Sequence, residues 1–420
     1  MNFIKTSFWS GISTTVRILA GIITTKIMAI YIGPTGVALL GNFTNITTIL
    51  STFANGAIGS GITKYISEFD SEEDKQNVVS HAFMISITCS FLIGIAVLIF
   101  HNALAKLAFG DTKYSTAFII FGFTVIFFGL NTTISAVLNG YRQIKYLIMT
   151  GMTGSILSVI LAFIITIKFG VFGALINSAI AQICIFMINL HFSKRLNVIE
   201  FKMGKMSIDT TILCKLFKYA GMSIVSVLLV PTGTLMIRKY VFNHFTPNEA
   251  GYIQGVWSIS NAYLMVVTTA LSIYYLPTLS SIKDDMGLKN EIFKGYKFLL
   301  PMAILGGTAV YICRDLIIHV LYTPEFLPMK KYFLFQIIGD TLKISSWILG
   351  YLMVAKAMTI WFIATEVIFT GIYISFAFVF MNYYGSIGVT YAYSLNYFIF
   401  LIYLIVIFRK LLFKNSTIST

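Results

Sequence analysis

The stretch VVSHAFMISITCSFLIGIAVLIF at residues 78–100 contains no Asp, Glu, Lys or Arg. About 20 such residues in a helix cross the ~30 Å of bilayer hydrocarbon, so it reads as a membrane span. Comparable segments lie near 7–32, 42–63, 115–138, 146–167, 171–192, 217–240, 251–275, 297–320, 331–354, 359–382 and 388–408. Their length selects helices, because barrel strands need about half as many residues. A helix also satisfies its backbone polar groups within the segment, as hydrocarbon demands. The expected fold is all-α and integral to the membrane, with 12 transmembrane helices.

Composition agrees. Charged residues are 11% of the 420, apolar residues 57%, and the mean hydropathy is +0.84. A soluble globular chain carries roughly 25% charged residues, so a soluble enzyme is excluded. Collagen-like and disordered classes fail on 37 phenylalanines alone. The formal charge of +14 calls for an explanation, and nucleic acid is a poor one for a membrane-embedded chain. The first apolar stretch has no small-residue exit, so it reads as a retained span rather than a signal peptide. Cys89, Cys184, Cys214 and Cys313 are scattered, which suggests neither disulfides nor a metal site.

Sorting the basic residues by loop accounts for most of the charge. With both termini in the cytoplasm, 19 basic residues fall on the cytoplasmic side and 8 on the other. That bias is the positive-inside pattern. Arg238 is among the 8, as a loop residue. Three cations, Arg17, Lys26 and Lys343, and two acids, Asp340 and Glu366, lie inside spans. An ionisable group at that depth costs at least about 2.5–3.5 kcal/mol and usually faces a cavity or a partner.

The chain repeats weakly at an offset near 215. Gly36 maps to Gly251, and Lys168-Phe169-Gly170-Val171-Phe172-Gly173 to Tyr383-Tyr384-Gly385-Ser386-Ile387-Gly388. An offset of six spans preserves topology, as in transporters built from parallel repeats with the substrate site between them. The expected organisation is a six-helix lobe at 1–192, a basic linker at 193–216, a second six-helix lobe at 217–410 and a tail at 411–420. Duplicated halves also suit a non-transporting scaffold, but a scaffold gives the buried charges no wet cavity.

Each buried charge has two readings. Arg17 sits about ten residues into its span, some ~15 Å from the interface, a long way to snorkel. The alternative is a cavity cation able to grip a phosphate bidentately. Lys26 follows nine residues later, half a turn out of phase on a straight helix. Either the helix bends near Gly21, or Lys26 reaches for the far interface. Asp340 and Lys343, three residues apart, are a self-neutralising pair or a coupled site. Glu366 accepts a proton or ion, or pairs with a neighbouring helix. The acidic run Glu68 to Asp74 reads as a solvated face. No metal motif, phosphate loop, nucleotide-binding motif or nucleophile–base set is present, so no cofactor, metal or enzymatic reaction is expected.

Gly33-Pro34-Thr35-Gly36, Ile62-Thr63-Lys64-Tyr65-Ile66-Ser67-Glu68, Gln254 to Tyr263, Tyr275 to Ser280 and Gly339-Asp340-Thr341-Leu342-Lys343 form a familiar series. With Gly350-Tyr351-Leu352 and Ala355-Lys356-Ala357, it resembles the Wzx-type flippases of O-antigen and enterobacterial common antigen (lipid III). These belong to the multidrug/oligosaccharidyl-lipid/polysaccharide exporter superfamily, and the resemblance covers about residues 1–412. It implies two pseudo-symmetric six-helix lobes around a central cleft in the bacterial inner membrane. It implies undecaprenyl-pyrophosphate-linked glycan as substrate, carried to the periplasmic leaflet. The polymerase and chain-length regulator of the same pathway are the implied partners, besides the bilayer. Arg17 and Lys26 match cavity cations of the family, and Lys343 would add a pyrophosphate contact from the second lobe. Asp340 or Glu366 would couple transport to a proton or sodium gradient. The peptidoglycan-precursor flippases carry an arginine near the place of Ser258 here, which argues against that substrate. Asn42, Asn45, Asn131, Asn261 and Gln336 are expected sugar contacts if they face the cleft. The runner-up, a cation-coupled multidrug exporter, would favour acids over cations in its cavity.

Overall fold

The computed structural model describes residues 3–195, 209–356 and 358–413. Most of the expected linker 193–216 and the tail beyond Phe413 lie outside them. The described residues are helical throughout. In order they form α1 (Phe3–Ala54), α2 (Gly59–Glu68), α3 (Glu72–Phe109), α4 (Ser115–Gly140) and α5 (Ile144–Arg195). There follow α6 (Thr210–His244), α7 (Pro247–Ala270), α8 (Leu276–Ser281), α9 (Asp285–Ile312) and α10 (Arg314–Leu321). The last four are α11 (Phe333–Ala355), α12 (Thr359–Tyr384), α13 (Gly388–Ile407) and α14 (Arg409–Phe413). Eight helical runs among the described residues are long and apolar enough to span a membrane. Large apolar side chains on them, such as Phe91, Ile99 and Leu305, are more than half exposed, as lipid-facing residues are. The protein is a multi-pass, all-helical membrane protein.

The helices gather into two compact units, Met1–Leu235 and Met236–Thr420. In the first, Phe43 of α1 packs against Phe109, Phe118 and Phe121 of α3 and α4. Small residues bring α3 and α4 to backbone distance: a methyl group added to Gly94 would stand 2.9 Å from the Gly122 carbonyl oxygen. Such close approach is how helices associate in lipid, where burial of apolar area drives nothing. The second unit centres on Leu271, Leu279, Ile348, Leu349 and Leu404.

Glycines set the breaks. α1 runs unbroken through Gly21 and breaks instead at Gly33, whose φ of 62° and ψ of −174° suit only glycine. Of the two readings of Lys26, the one that needs a bend near Gly21 is therefore removed. The Pro34 ring, which has no N–H to offer, fits the first turn after the break. The expected span 42–63 is also shorter at its far end, because α1 stops at Ala54. The Ala57 N–H donates to the Thr52 carbonyl and the Gly56 N–H to the Phe53 carbonyl, both at 2.9 Å. These two bonds form a Schellman cap, with Gly56 (φ 67°) in its left-handed position. Ala57 follows at φ 56°, a strained value for a residue with a side chain.

The repeat is visible in the turns. Gly170 (φ 53°) and Gly385 (φ 70°) share the same unusual backbone. A methyl group on Gly173 would collide with the carbonyl of Ile165, and one on Gly388 with that of Phe380. In both cases the obstructed partner lies eight residues back.

Candidate functional site

In the second unit, α7, α11, α12 and α13 surround a buried carboxylate. Asp340 of α11 is 1% exposed. Four donors reach it. The Ser260 and Tyr263 hydroxyls of α7 donate to Oδ2. The Tyr393 hydroxyl of α13 donates to Oδ1 at 2.7 Å, and the Gln336 amide at 3.3 Å. Helical spacing explains the convergence: residues 260 and 263 share one face of α7, and 336, 340 and 343 one face of α11. Gly339 has no side chain because the Tyr393 ring occupies that space. Sequence reading found Asp340 by its charge. The donors were not found, because a Tyr or Ser in an apolar helix carries no such signal.

Lys343 lies one turn along α11, under three rings. Its Nζ is 5.2 Å from the Trp347 and Tyr397 ring centroids and 5.7 Å from that of Tyr393. Cations at these distances are held by ring quadrupoles. Asp340 and Glu366 both act on the same ammonium, so the structure brings these three expected residues together. Gln336 Oε1 and the Tyr373 hydroxyl are buried without a hydrogen-bond partner among the described residues. The cluster thus combines two carboxylates, one ammonium and oxygens without hydrogen-bond partners among the described residues. It has the chemistry to take up and release a proton or a small cation.

The first unit places its cations differently. Arg17 is exposed on α1. Its guanidinium lies alongside Gly151 of α5, with Nε 3.9 Å from where a methyl group on that glycine would be, an ordinary contact distance. Lys26 is half-buried. With the helix straight between them, the two point to opposite sides. In the second unit, Arg238, assigned to a loop from sequence, is instead 2% exposed inside α6 and packs over Trp257 at 5.4 Å. That corrects the loop assignment. A long side chain at a span's edge is what made it ambiguous.

Three expected sugar contacts are held in helix packing. Asn42 donates to the Ala108 carbonyl at 2.8 Å. Asn45 donates to Thr234 Oγ1 at 2.8 Å. Asn131 donates to Gln182 Oε1 at 2.8 Å and accepts from Asn189 at 2.9 Å. Asn261 is exposed.

Comparison with known proteins now has geometry to rest on. Residues 40–331 match the polysaccharide biosynthesis protein family. The lipid III flippase of Escherichia coli (strain K12) is 28% identical over 402 residues, covering 95% of this chain and 96% of that protein. The Shigella flexneri lipid III flippase matches to the same extent. Among solved structures, an inward-facing multidrug resistance MATE family transporter of the MOP superfamily superposes with a TM-score of 0.74. It is 15% identical, and the match covers 96% of each chain. The lipid II flippase MurJ, in an inward closed conformation, also gives 0.74, at 16% identity over 97% of this chain and 87% of that one. These likenesses show the fold. The chain belongs to the polysaccharide biosynthesis protein family, and it is built on the fold of the MATE and MurJ transporters.

Proposed function

We propose that the protein is a flippase of the bacterial inner membrane. It moves an undecaprenyl-pyrophosphate-linked oligosaccharide, an O-antigen repeat unit or lipid III, from the cytoplasmic to the periplasmic leaflet. The observation that carries this reading is the end-to-end match to a lipid III flippase. The exposed Arg17 at span depth supports it, because a pyrophosphate needs cations to replace its water.

The three longest runs are 43, 50 and 49 residues, roughly two crossings each. Splitting them at Gly33, Gly170 and Gly385, and counting α7, gives 12 crossings and returns both termini to the cytoplasm. The six-helix lobes 1–192 and 217–410 then alternate access to the two leaflets. Arg17 provides the principal pyrophosphate contact, with Lys26 at the far side of α1. Lys343, held among rings and acids, joins Asp340 and Glu366 in coupling transport to a proton or sodium gradient, and meets phosphate when that coupling releases it.

Complementation of a flippase-null strain tests the assignment, scored by which surface glycan returns. Arg17→Ala should cut export about 10- to 100-fold, the worth of a charge-assisted bond, at unchanged protein level. Normal export from that variant would sink the pyrophosphate role. Drug efflux without glycan export would favour the multidrug reading. Flipping in proteoliposomes at equal rates with and without an imposed gradient would remove the coupling role from Asp340 and Glu366.

A further inference from the structure

The break between α1 and α2 leaves an open cavity of about 180 Å³ in the first unit, whose lining includes the polar side chains of Ser51, Thr52, Asn55, Ser60 and Thr132. It is far larger than the roughly 10–15 Å³ that one water needs. Thr132 lies eight residues before the end of α4, about 12 Å along that helix at 1.5 Å per residue. The cavity is therefore at span depth, not in a loop.

Its wall has a definite polarity. Asn55 is 3% exposed, and its Oδ1 has no hydrogen-bond partner among the described residues. Ser51 and Thr52 both donate their protons to the Thr48 carbonyl, at 3.1 and 2.9 Å. Thr132 donates to the Phe128 carbonyl at 3.0 Å. Those three hydroxyl oxygens can only accept, as can Asn55 Oδ1. Donors come from the other side: the first turn of α2 has no side-chain cap, and Ser60 is exposed there. No lining residue is charged. An anion would suit the helix terminus but would face four acceptors. A cation would find oxygens but no carboxylate. A group that both donates and accepts, without charge, satisfies both walls. Sugar hydroxyls have that property.

We propose that this cavity is a sugar subsite, taking one uncharged, hydroxyl-bearing ring of the transported glycan. This rests on the flippase reading for its ligand, but not for its geometry. Asn55 was not among the asparagines expected to touch sugar, and the strained Ala57 beside it holds the break open.

The full-length protein in micelles, probed with N-acetylglucosamine and glucose by saturation-transfer NMR, tests the idea. Ring-proton signals are expected from wild type and should not respond to sodium. Thr132→Val, at an exposed position, keeps shape and removes one acceptor. It and Ser51→Ala should each weaken binding about three- to tenfold, the worth of one hydrogen bond. Absence of signal in wild type, signal in both variants undiminished from wild type, or displacement by sodium would each overturn the subsite. Export in the null strain separates the two readings. Sugar binding that persists in a chain unable to restore any glycan removes the flippase reading alone. Full export from variants that have lost sugar binding removes the subsite alone.

Discussion

Residues 115–195 and 330–410 keep one register and bury opposite chemistry. α4 ends at Gly140 and α11 at Ala355, and α5 begins at Ile144 and α12 at Thr359, each pair 215 residues apart. Gly170 and Gly385, and Gly173 and Gly388, hold the same offset. Yet where α11 buries Asp340, α4 buries Val125, each 1% exposed. Where α11 has Lys343, α4 has Phe128. Where α12 carries Glu366 in the electrostatic reach of Lys343, α5 carries Gly151 alongside Arg17. The first unit buries neutral amides within an apolar core and leaves its described cations exposed or half-buried. The second buries Asp340 among hydroxyls and sets a half-buried Lys343 under rings. The difference teaches that the turns set the scaffold and the helix faces set the chemistry. One unit leaves its cations at its surface, and the other buries a carboxylate.

The comparison can be broken at its extremes. Val125→Asp should prevent accumulation of folded protein, because position 125 has no donors like those around Asp340. An unpaired buried carboxylate costs several kcal/mol. Folded, detergent-stable protein from that variant would contradict the claim. Next in size, Asp340→Val should destabilise by about 3–5 kcal/mol, since it leaves Lys343 without its nearest acid. Adding Lys343→Met should recover much of that loss, read as the unfolding midpoint in micelles. If the second change only adds to the damage, the two residues are not a pair.

Smaller effects sharpen the equivalence of the turns. Gly173→Ala and Gly388→Ala each press a methyl group on a backbone carbonyl that cannot move aside, and should cost about 1–3 kcal/mol. The two costs should agree, and a wide gap in thermal unfolding would deny the shared geometry. Gly170→Ala and Gly385→Ala should cost about 1–2 kcal/mol each from the positive φ alone. Asn131→Ala is the mildest, about 1 kcal/mol, for hydrogen bonds within the amide cluster. Its export phenotype should be slight, unlike that of Arg17.

The membrane class, the repeat and the buried charges were legible from sequence because each leaves a compositional trace. A span is apolar for about 20 residues, a charge inside it stands out, and paired glycines mark a shared turn. The partners of those charges were not legible. Tyr263 and Tyr393 meet Asp340 from two other helices, and only packing brings them there. The break after Ala54 was hidden for a related reason. Its hydroxyls and amide continue an apolar run without charge, so hydropathy alone read through it. The helix partners of Asn42, Asn45 and Asn131 were not legible either, because an amide in a span carries no sign of which neighbour it meets.

The constant offset of 215 has a further consequence, in helical phase. One residue inserted into a helix turns every later side chain by about 100°. In α11, an insertion between Gln336 and Asp340 would swing the carboxylate away from its hydroxyls while leaving composition and hydropathy untouched. The same insertion in α4 would swing Asn131 out of its amide cluster. Substitution is tolerated wherever a neighbour can be exchanged, as Val125 and Asp340 illustrate. Length is not, because each span is clamped at both ends by turns of fixed geometry. In this protein the count of residues between glycines carries as much structural instruction as the residues themselves.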